Sequence, residues 1–130
     1  MSDHRETIQA TGAPAAAGPY SHAVVSAGLL FCSGQTPIDP ATGELVSGSI
    51  GEQAARCLEN LSIVCAAAGA KLEDAVRVGI YVTDMSTFKQ VNEAYAGFFG
   101  DTPPARSTIG VASLPLGAQV EMDAVVALPD

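Results

Sequence analysis

Tryptophan is absent from this 130-residue chain, and only three tyrosines and four phenylalanines supply aromatic rings. Stacking platforms of the kind that hold single-stranded nucleic acid are therefore poorly provided. Basic residues are also scarce. Six Lys and Arg against fourteen Asp and Glu give a formal net charge of -8, the wrong sign for neutralising a phosphate backbone. Cysteine is limited to Cys32, Cys57 and Cys65, with no CxxC pair and no histidine at metal-ligand spacing. Three thiols outside any disulfide framework read as reduced cysteines of a cytoplasmic protein, each serving as a small core hydrophobe. The start, Met1-Ser2-Asp3-His4-Arg5-Glu6, lacks the apolar stretch of a secretory signal. No apolar run reaches the ~18 residues of a membrane-spanning helix. A soluble protein with no membrane partner is expected.

What is present reads as a single domain over residues 1–130, with residues 1–5 frayed. Thr7 to Gln9 suits a short first strand, and the two prolines and glycine of Ala13–Pro19 make a loop. Ala23–Ser26 and Leu29–Ser33 read as strands joined by a tight turn at Ala27-Gly28. Thr36 to Glu44 carries turn chemistry throughout: Pro37, Asp39, Pro40 and Gly43. Ser49-Ile50-Gly51-Glu52 has capping-box form, and Ala54, Leu58, Leu61, Cys65 and Ala68 make a helical stripe that stops at Gly69. Val76, Val78, Ile80 and Val82 alternate as in a strand with one buried face. Asp84 or Ser86 caps a second helix, with Phe88, Val91, Tyr95 and Phe98 inward and Gly100 at its end. Strands over Arg106–Val111 and Gln119–Ala127 complete a β-β-β-α-β-α-β-β order. This order predicts an α+β fold: one mixed six-stranded sheet with two helices on one face. The other face must then meet water or another subunit.

Chemistry is concentrated in the last two strands. Arg106, Thr108 and Gly110 share a face of the first, and Glu121 and Asp123 share a face of the second. If the short Leu-Pro connection makes these strands neighbours, Arg106, Thr108 and Glu121 line one side, although nothing in the sequence sets the register. An arginine can grip a carboxylate bidentately while a nearby glutamate accepts a proton from water. On pattern alone the blander reading weighs more: an Arg–Glu cross-strand pair on a solvated face. His22 is a candidate acid–base group, but a lone histidine is more often simply accommodated. Ser33-Gly34-Gln35 ends a strand and can present backbone N–H groups to an anion. There is no GxSxG elbow, HExxH pair or Gly-rich phosphate loop with its lysine.

An ordered set of motifs runs from about Ala13 to Ala127. It comprises Gly18-Pro19-Tyr20-Ser21, Cys32-Ser33-Gly34-Gln35-Thr36-Pro37, Thr42-Gly43, Val91-Asn92 with Tyr95, Pro104-Ala105-Arg106-Ser107, Leu114-Pro115 and Val120-Glu121. Each is weak alone, but the ordered set closely resembles the RidA/YjgF family of enamine/imine deaminases. The resemblance implies a chorismate-mutase-like fold in a homotrimer with active sites in clefts between subunits. It also implies hydrolysis of 2-iminopropanoate, 2-iminobutanoate and related products of pyridoxal-phosphate enzymes to 2-keto acids and ammonia, a form of metabolite damage control. Carried over, Arg106 is the carboxylate-binding arginine and Glu121 the acidic residue beside the reacting water. Tyr20, Ser33, Gly34, Asn92 and Thr108 fall at substrate-binding positions. Thr108 stands where well-known members often have Cys, and His22 where Gln is common. A protonated imine is electrophilic enough for water to attack with no metal or other cofactor. The rival expectations are a carboxylate sensor or chaperone-like trimer of the same fold and, less favoured by the acidic composition, a ribonuclease or translation inhibitor.

Overall fold

The computed structural model of the chain describes residues 4–130. Of the segment expected to fray, residues 1–3 lie outside the described residues.

The elements are β1 (Glu6–Ile8), β2 (Ala23–Ser26), β3 (Leu29–Gln35), β4 (Ile38–Asp39), β5 (Glu44–Leu45), α1 (Ile50–Ala67), β6 (Ala75–Val82), α2 (Phe88–Ala96), β7 (Ala105–Gly110) and β8 (Val120–Ala127). Six strands form one mixed sheet in the order β1-β2-β3-β8-β6-β7. Only β6 and β7 run parallel. Both helices cover the same face, as the alternation of apolar residues requires. In β8, Val120, Met122, Ala124 and Val126 are buried while the residues between them are half-buried. The inward set meets Leu58, Leu61 and Val64 of α1, all fully buried. Burying each such side chain contributes about 1.5–3 kcal/mol.

The first helix begins as its sequence dictates. Ser49 Oγ accepts from the Glu52 N–H at 3.1 Å, and Glu52 Oε1 accepts from the Ser49 N–H at 3.1 Å. Both bonds satisfy N–H groups that have no partner within the helix. Ser49→Ala is expected to cost about 1 kcal/mol, read as a lower denaturation midpoint with an unchanged m-value. The helix closes where Ala70 N–H donates to Cys65 O and Gly69 N–H to Ala66 O, a Schellman arrangement with Gly69 at φ 74°.

Three expectations need local correction. The first strand lies one residue earlier than its pattern suggested. The Thr36–Glu44 turn region contains a two-stranded hairpin, β4 with β5. Its turn is the expected one, with Asp39 Oδ1 accepting from the Ala41 N–H at 2.8 Å. The hairpin is pinned by Asn60, a fully buried polar side chain on α1. Asn60 Nδ2 donates to Ile38 O at 2.9 Å, and its Oδ1 accepts from Arg56 Nη2 at 2.8 Å. The second helix is also shorter than expected. Asp84 caps a preceding 3-10 turn by accepting from the Ser86 N–H, and α2 stops at Ala96 rather than near Gly100. Beyond that point the helical period no longer applies, so Phe99 is buried instead of Phe98 and stacks on Tyr95 at a centroid distance of 4.7 Å.

The correction that matters for function concerns strand order. The last two strands are not neighbours. β6, α2 and β7 form a crossover between parallel strands, which places β7 at the sheet edge, while β8 lies between β3 and β6. In register, Arg106 pairs with Val78 and Val78 with Ala124, whereas Ile109 pairs with Tyr81 and Tyr81 with Glu121. Cross-strand partners share a face. Arg106 and Thr108 therefore lie on the helix-covered face and Glu121 on the opposite one. The bare face carries large apolar groups, with Phe31 45 % and Ile109 49 % exposed.

Candidate active site

The strand order divides the expected site residues into two groups. The first centres on Arg106, held on β7 beneath α2. Its guanidinium carbon lies 4.8 Å from the Tyr95 ring centroid and 5.6 Å from that of Phe88, so both rings stabilise the cation through their faces. Among the described residues the Arg106 side chain has no hydrogen bond and no ion pair; the sole salt bridge joins Arg56 to Glu59. Asn92 Oδ1, the Tyr95 hydroxyl and Thr108 Oγ1 are also buried without a protein partner. Each unpaired buried polar atom costs about 1–3 kcal/mol. Such groups are rare in folded proteins, and here all three belong to residues around Arg106. A cleft of about 460 Å³ opens against Arg106, Asn92 and Tyr95, with Phe99 and Pro104 as apolar walls. Burial raises the Tyr95 phenol above its ordinary value, partly offset by the Arg106 charge.

The second group forms where the end of β3 meets the start of β8. Cys32 pairs with Ala124 and Gln35 with Met122, so β3 has one more residue than β8 between these pairs. The resulting bulge takes Ser33-Gly34 off the regular ladder. A Cβ on Gly34 would overlap Glu121 Oε2, so glycine is what lets the carboxylate lie over this strand. Ser33 Oγ donates to Ser21 O at 2.6 Å. The Ser33 N–H donates to His22 O, so of the Ser33-Gly34-Gln35 N–H groups expected to face an anion this one is already engaged. Tyr20 is 48 % exposed and lines, with Ser33, Gly34 and Glu121, a cleft of about 310 Å³. Burial, and secondarily the Asp123 charge, raise the Glu121 carboxyl above its ordinary value.

His22 belongs to neither group as a reactive residue. It is buried, its Nδ1 accepts from the Ala10 N–H at 2.9 Å, and its Nε2 bonds Pro14 O at 2.8 Å. Those partners assign the neutral tautomer protonated on Nε2. The ring is a clasp that folds the loop over residues 10–14 beside the Glu121 cleft. The sequence stripe on α2 classes Tyr95 and Phe88 as core, whereas only Tyr95 is buried and both rings lie over Arg106. The i, i+7 spacing that puts both rings on one helix face is the available signal.

Among the described residues no cluster of His, Cys, Asp and Glu has the form of a metal site. No helix there is long and apolar enough to cross a membrane. What the arrangement offers is a fixed cation with orphaned polar atoms in one cleft and a partly buried carboxylate in another. In one chain these lie on opposite faces of the sheet.

The family described as Endoribonuclease L-PSP matches residues 10–128. The RutC family protein y4sK of Sinorhizobium fredii is 47% identical over 123 residues, covering 95% of this chain and 98% of that protein. The 2-iminobutanoate/2-iminopropanoate deaminase of Mus musculus is 41% identical over 121 residues, covering 93% and 90% respectively. The crystal structure of E. coli TdcF with bound serine has a TM-score of 0.89 at 35% identity, covering 95% of this chain and 99% of that one. The chain belongs to the Endoribonuclease L-PSP family, the YjgF/RidA family that its motifs resemble.

Proposed function

We propose that this protein is a hydrolytic deaminase for 2-imino and enamine acids such as 2-iminopropanoate and 2-iminobutanoate. It acts as a homotrimer in which the Arg106 cleft of one copy faces the Glu121 cleft of the next. The observation that carries this reading is the unpaired Arg106 guanidinium among three orphaned polar atoms, on the face opposite Glu121. A ligand carboxylate answers the first feature, and a second copy of the chain answers the second. The named activity of the mouse relative supports the chemistry. The serine in the E. coli relative is likewise a small 2-amino carboxylate.

Arg106 orients the substrate through two parallel N–H···O bonds to its carboxylate, with the Thr108 hydroxyl available as a further donor. Asn92 Oδ1 accepts from the imine N–H. Tyr20, Ser33 and Gly34 shape the wall from which water approaches. Glu121 takes a proton from that water as its oxygen bonds to the imine carbon, forming a carbinolamine. The same carboxyl returns that proton to nitrogen and then accepts the hydroxyl proton as the C–N bond breaks, so that ammonia leaves a 2-keto acid. Each proton-transfer role is worth about 10²–10⁴-fold. A pure carboxylate sensor would gain nothing from Glu121 beside its anionic ligand, and the net charge of -8 weighs against RNA as substrate.

The test is a coupled assay in which an amino-acid oxidase generates imines from alanine or 2-aminobutyrate. The protein should accelerate keto-acid and ammonia release above the spontaneous rate. No acceleration at any imine would overturn the reading. Gly34→Ala is a sharper probe, because the new Cβ displaces the Glu121 carboxylate while asking only a flexible side-chain end to move. We expect an intact fold by circular dichroism and kcat lower by about 10²-fold.

A further inference from the structure

The mechanism leaves an ordered acidic group beside Glu121 unused. Asp123 lies two residues after Glu121 on β8 and shares its face. Its carboxylate is clamped: the Gly79 N–H donates to Oδ1 at 3.2 Å and the Tyr81 hydroxyl to Oδ2 at 2.9 Å. A Cβ on Gly79 would overlap Asp123 Oδ1 and stand 2.8 Å from the Tyr81 hydroxyl. The two clamping residues are the cross-strand partners of the acidic pair, Gly79 opposite Asp123 and Tyr81 opposite Glu121. A glycine gap and a tyrosine donor on β6 thus hold one carboxylate at a fixed place beside another.

We propose that Asp123 is a positioning residue whose clamped negative charge makes Glu121 a better proton carrier near neutral pH. A like charge one strand step away disfavours ionised Glu121, moving it toward the pH at which an acid–base group works best. The direction found for Glu121, raised by burial first and by Asp123 second, agrees. Within one chain the other groups facing Glu121 do not replace this effect, and in the proposed trimer the partner subunit's Arg106 opposes it equally in the native protein and in Asp123→Asn. β3 contributes uncharged Ser33 and Gly34, and β7 contributes Ile109. The loop before β2 contributes Tyr20 and His22, whose ring nitrogens are both engaged. The Cys57 thiol of α1, across the sheet, is kept neutral by burial. Arg77 flanks Gly79 and acts on Tyr81, at the far side of Asp123, and among the described residues it forms no ion pair with Asp123.

The effect on turnover rests on the deaminase reading, whereas the effect on titration does not. Two readouts therefore separate them. The Glu121 carboxyl carbon, assigned by its loss in Glu121→Gln, is titrated by ¹³C NMR in the native protein and in Asp123→Asn, which keeps the side-chain shape. We expect the Glu121 midpoint to fall by about half a unit to one unit. The acid limb of the kcat/KM profile for 2-iminobutanoate should move down with it. An unchanged midpoint would overturn the proposal even in an active enzyme. A shifted midpoint in a protein that hydrolyses no imine would instead sink the deaminase reading and leave the charge coupling standing. If Asp123→Asn fails to fold, the native protein supplies the answer through salt. A midpoint raised by a neighbouring charge falls between about 0.05 and 0.5 M NaCl, a range over which the Debye length shrinks roughly threefold. A midpoint raised by burial alone does not move, and that result would also overturn the proposal.

Discussion

Arg106→Ala is expected to lower kcat/KM for 2-iminobutanoate by about 10²-fold or more, with the fold and the assembly unchanged. The asymmetry follows from what the side chain touches. It has no hydrogen bond or ion pair among the described residues, only the faces of Tyr95 and Phe88. Removing it therefore breaks no structural network, and the thermal midpoint should move little. Arg106→Lys should recover little of the activity. Lysine restores the charge but not the planar fork that meets both carboxylate oxygens at once. Keto-acid release measures the loss, and gel filtration with thermal melting checks that only the site has changed. A native rate in Arg106→Ala would remove the arginine from the mechanism.

Mixing two inactive variants should restore activity. The register puts Arg106 and Glu121 on opposite faces of one sheet, so the proposed site takes each from a different copy. Arg106→Ala lacks one half and Glu121→Gln the other, and each alone should be slower by about 10²-fold or more. In a closed ring, a site is intact when its arginine comes from a Glu121→Gln copy and its glutamate from an Arg106→Ala copy. Random co-assembly of equal amounts therefore restores about a quarter of the native sites. Variants mixed after separate folding, without subunit exchange, should show no gain. Failure of co-refolded mixtures to recover activity would mean that the halves do not meet between chains.

Much of the fold is legible from local pattern. Ser49 and Glu52 announce the start of α1 and Gly69 its end, because capping chemistry is local. The alternation along β8 by itself separates Val120 and Met122 from Glu121 and Asp123. What local pattern does not carry is which strands are neighbours. Leu114-Pro115 reads as a simple turn between the last two strands, yet β8 reaches past β7 to pair with β6 and β3. Period-2 alternation assigns two faces within each strand and says nothing about how those faces align between strands. That gap makes residues on opposite faces of the sheet look like neighbours. Gly34 marks a second limit. The motif draws attention to it, but its physical reason is a carboxylate from a strand that lies far away in sequence. Tyr95 marks a third: its ring packs as the helical stripe requires, while its hydroxyl is left without a protein partner beside the cleft. No sequence signal separates the two ends of one side chain.

The placement of the cysteines has a consequence for what can attack the substrate. Cys32, Cys57 and Cys65 are all buried. The neighbouring Cys65 thiol and burial raise Cys32, and burial raises Cys57, so neither offers an appreciable thiolate. Two residues along β7 from Arg106, position 108 carries a hydroxyl instead of a sulfur. Imines and enamines are electrophiles once protonated, and thiols add to them reversibly. An imine held against Arg106 as proposed would therefore meet no cysteine in the walls of either cleft, which leaves water as the nucleophile there.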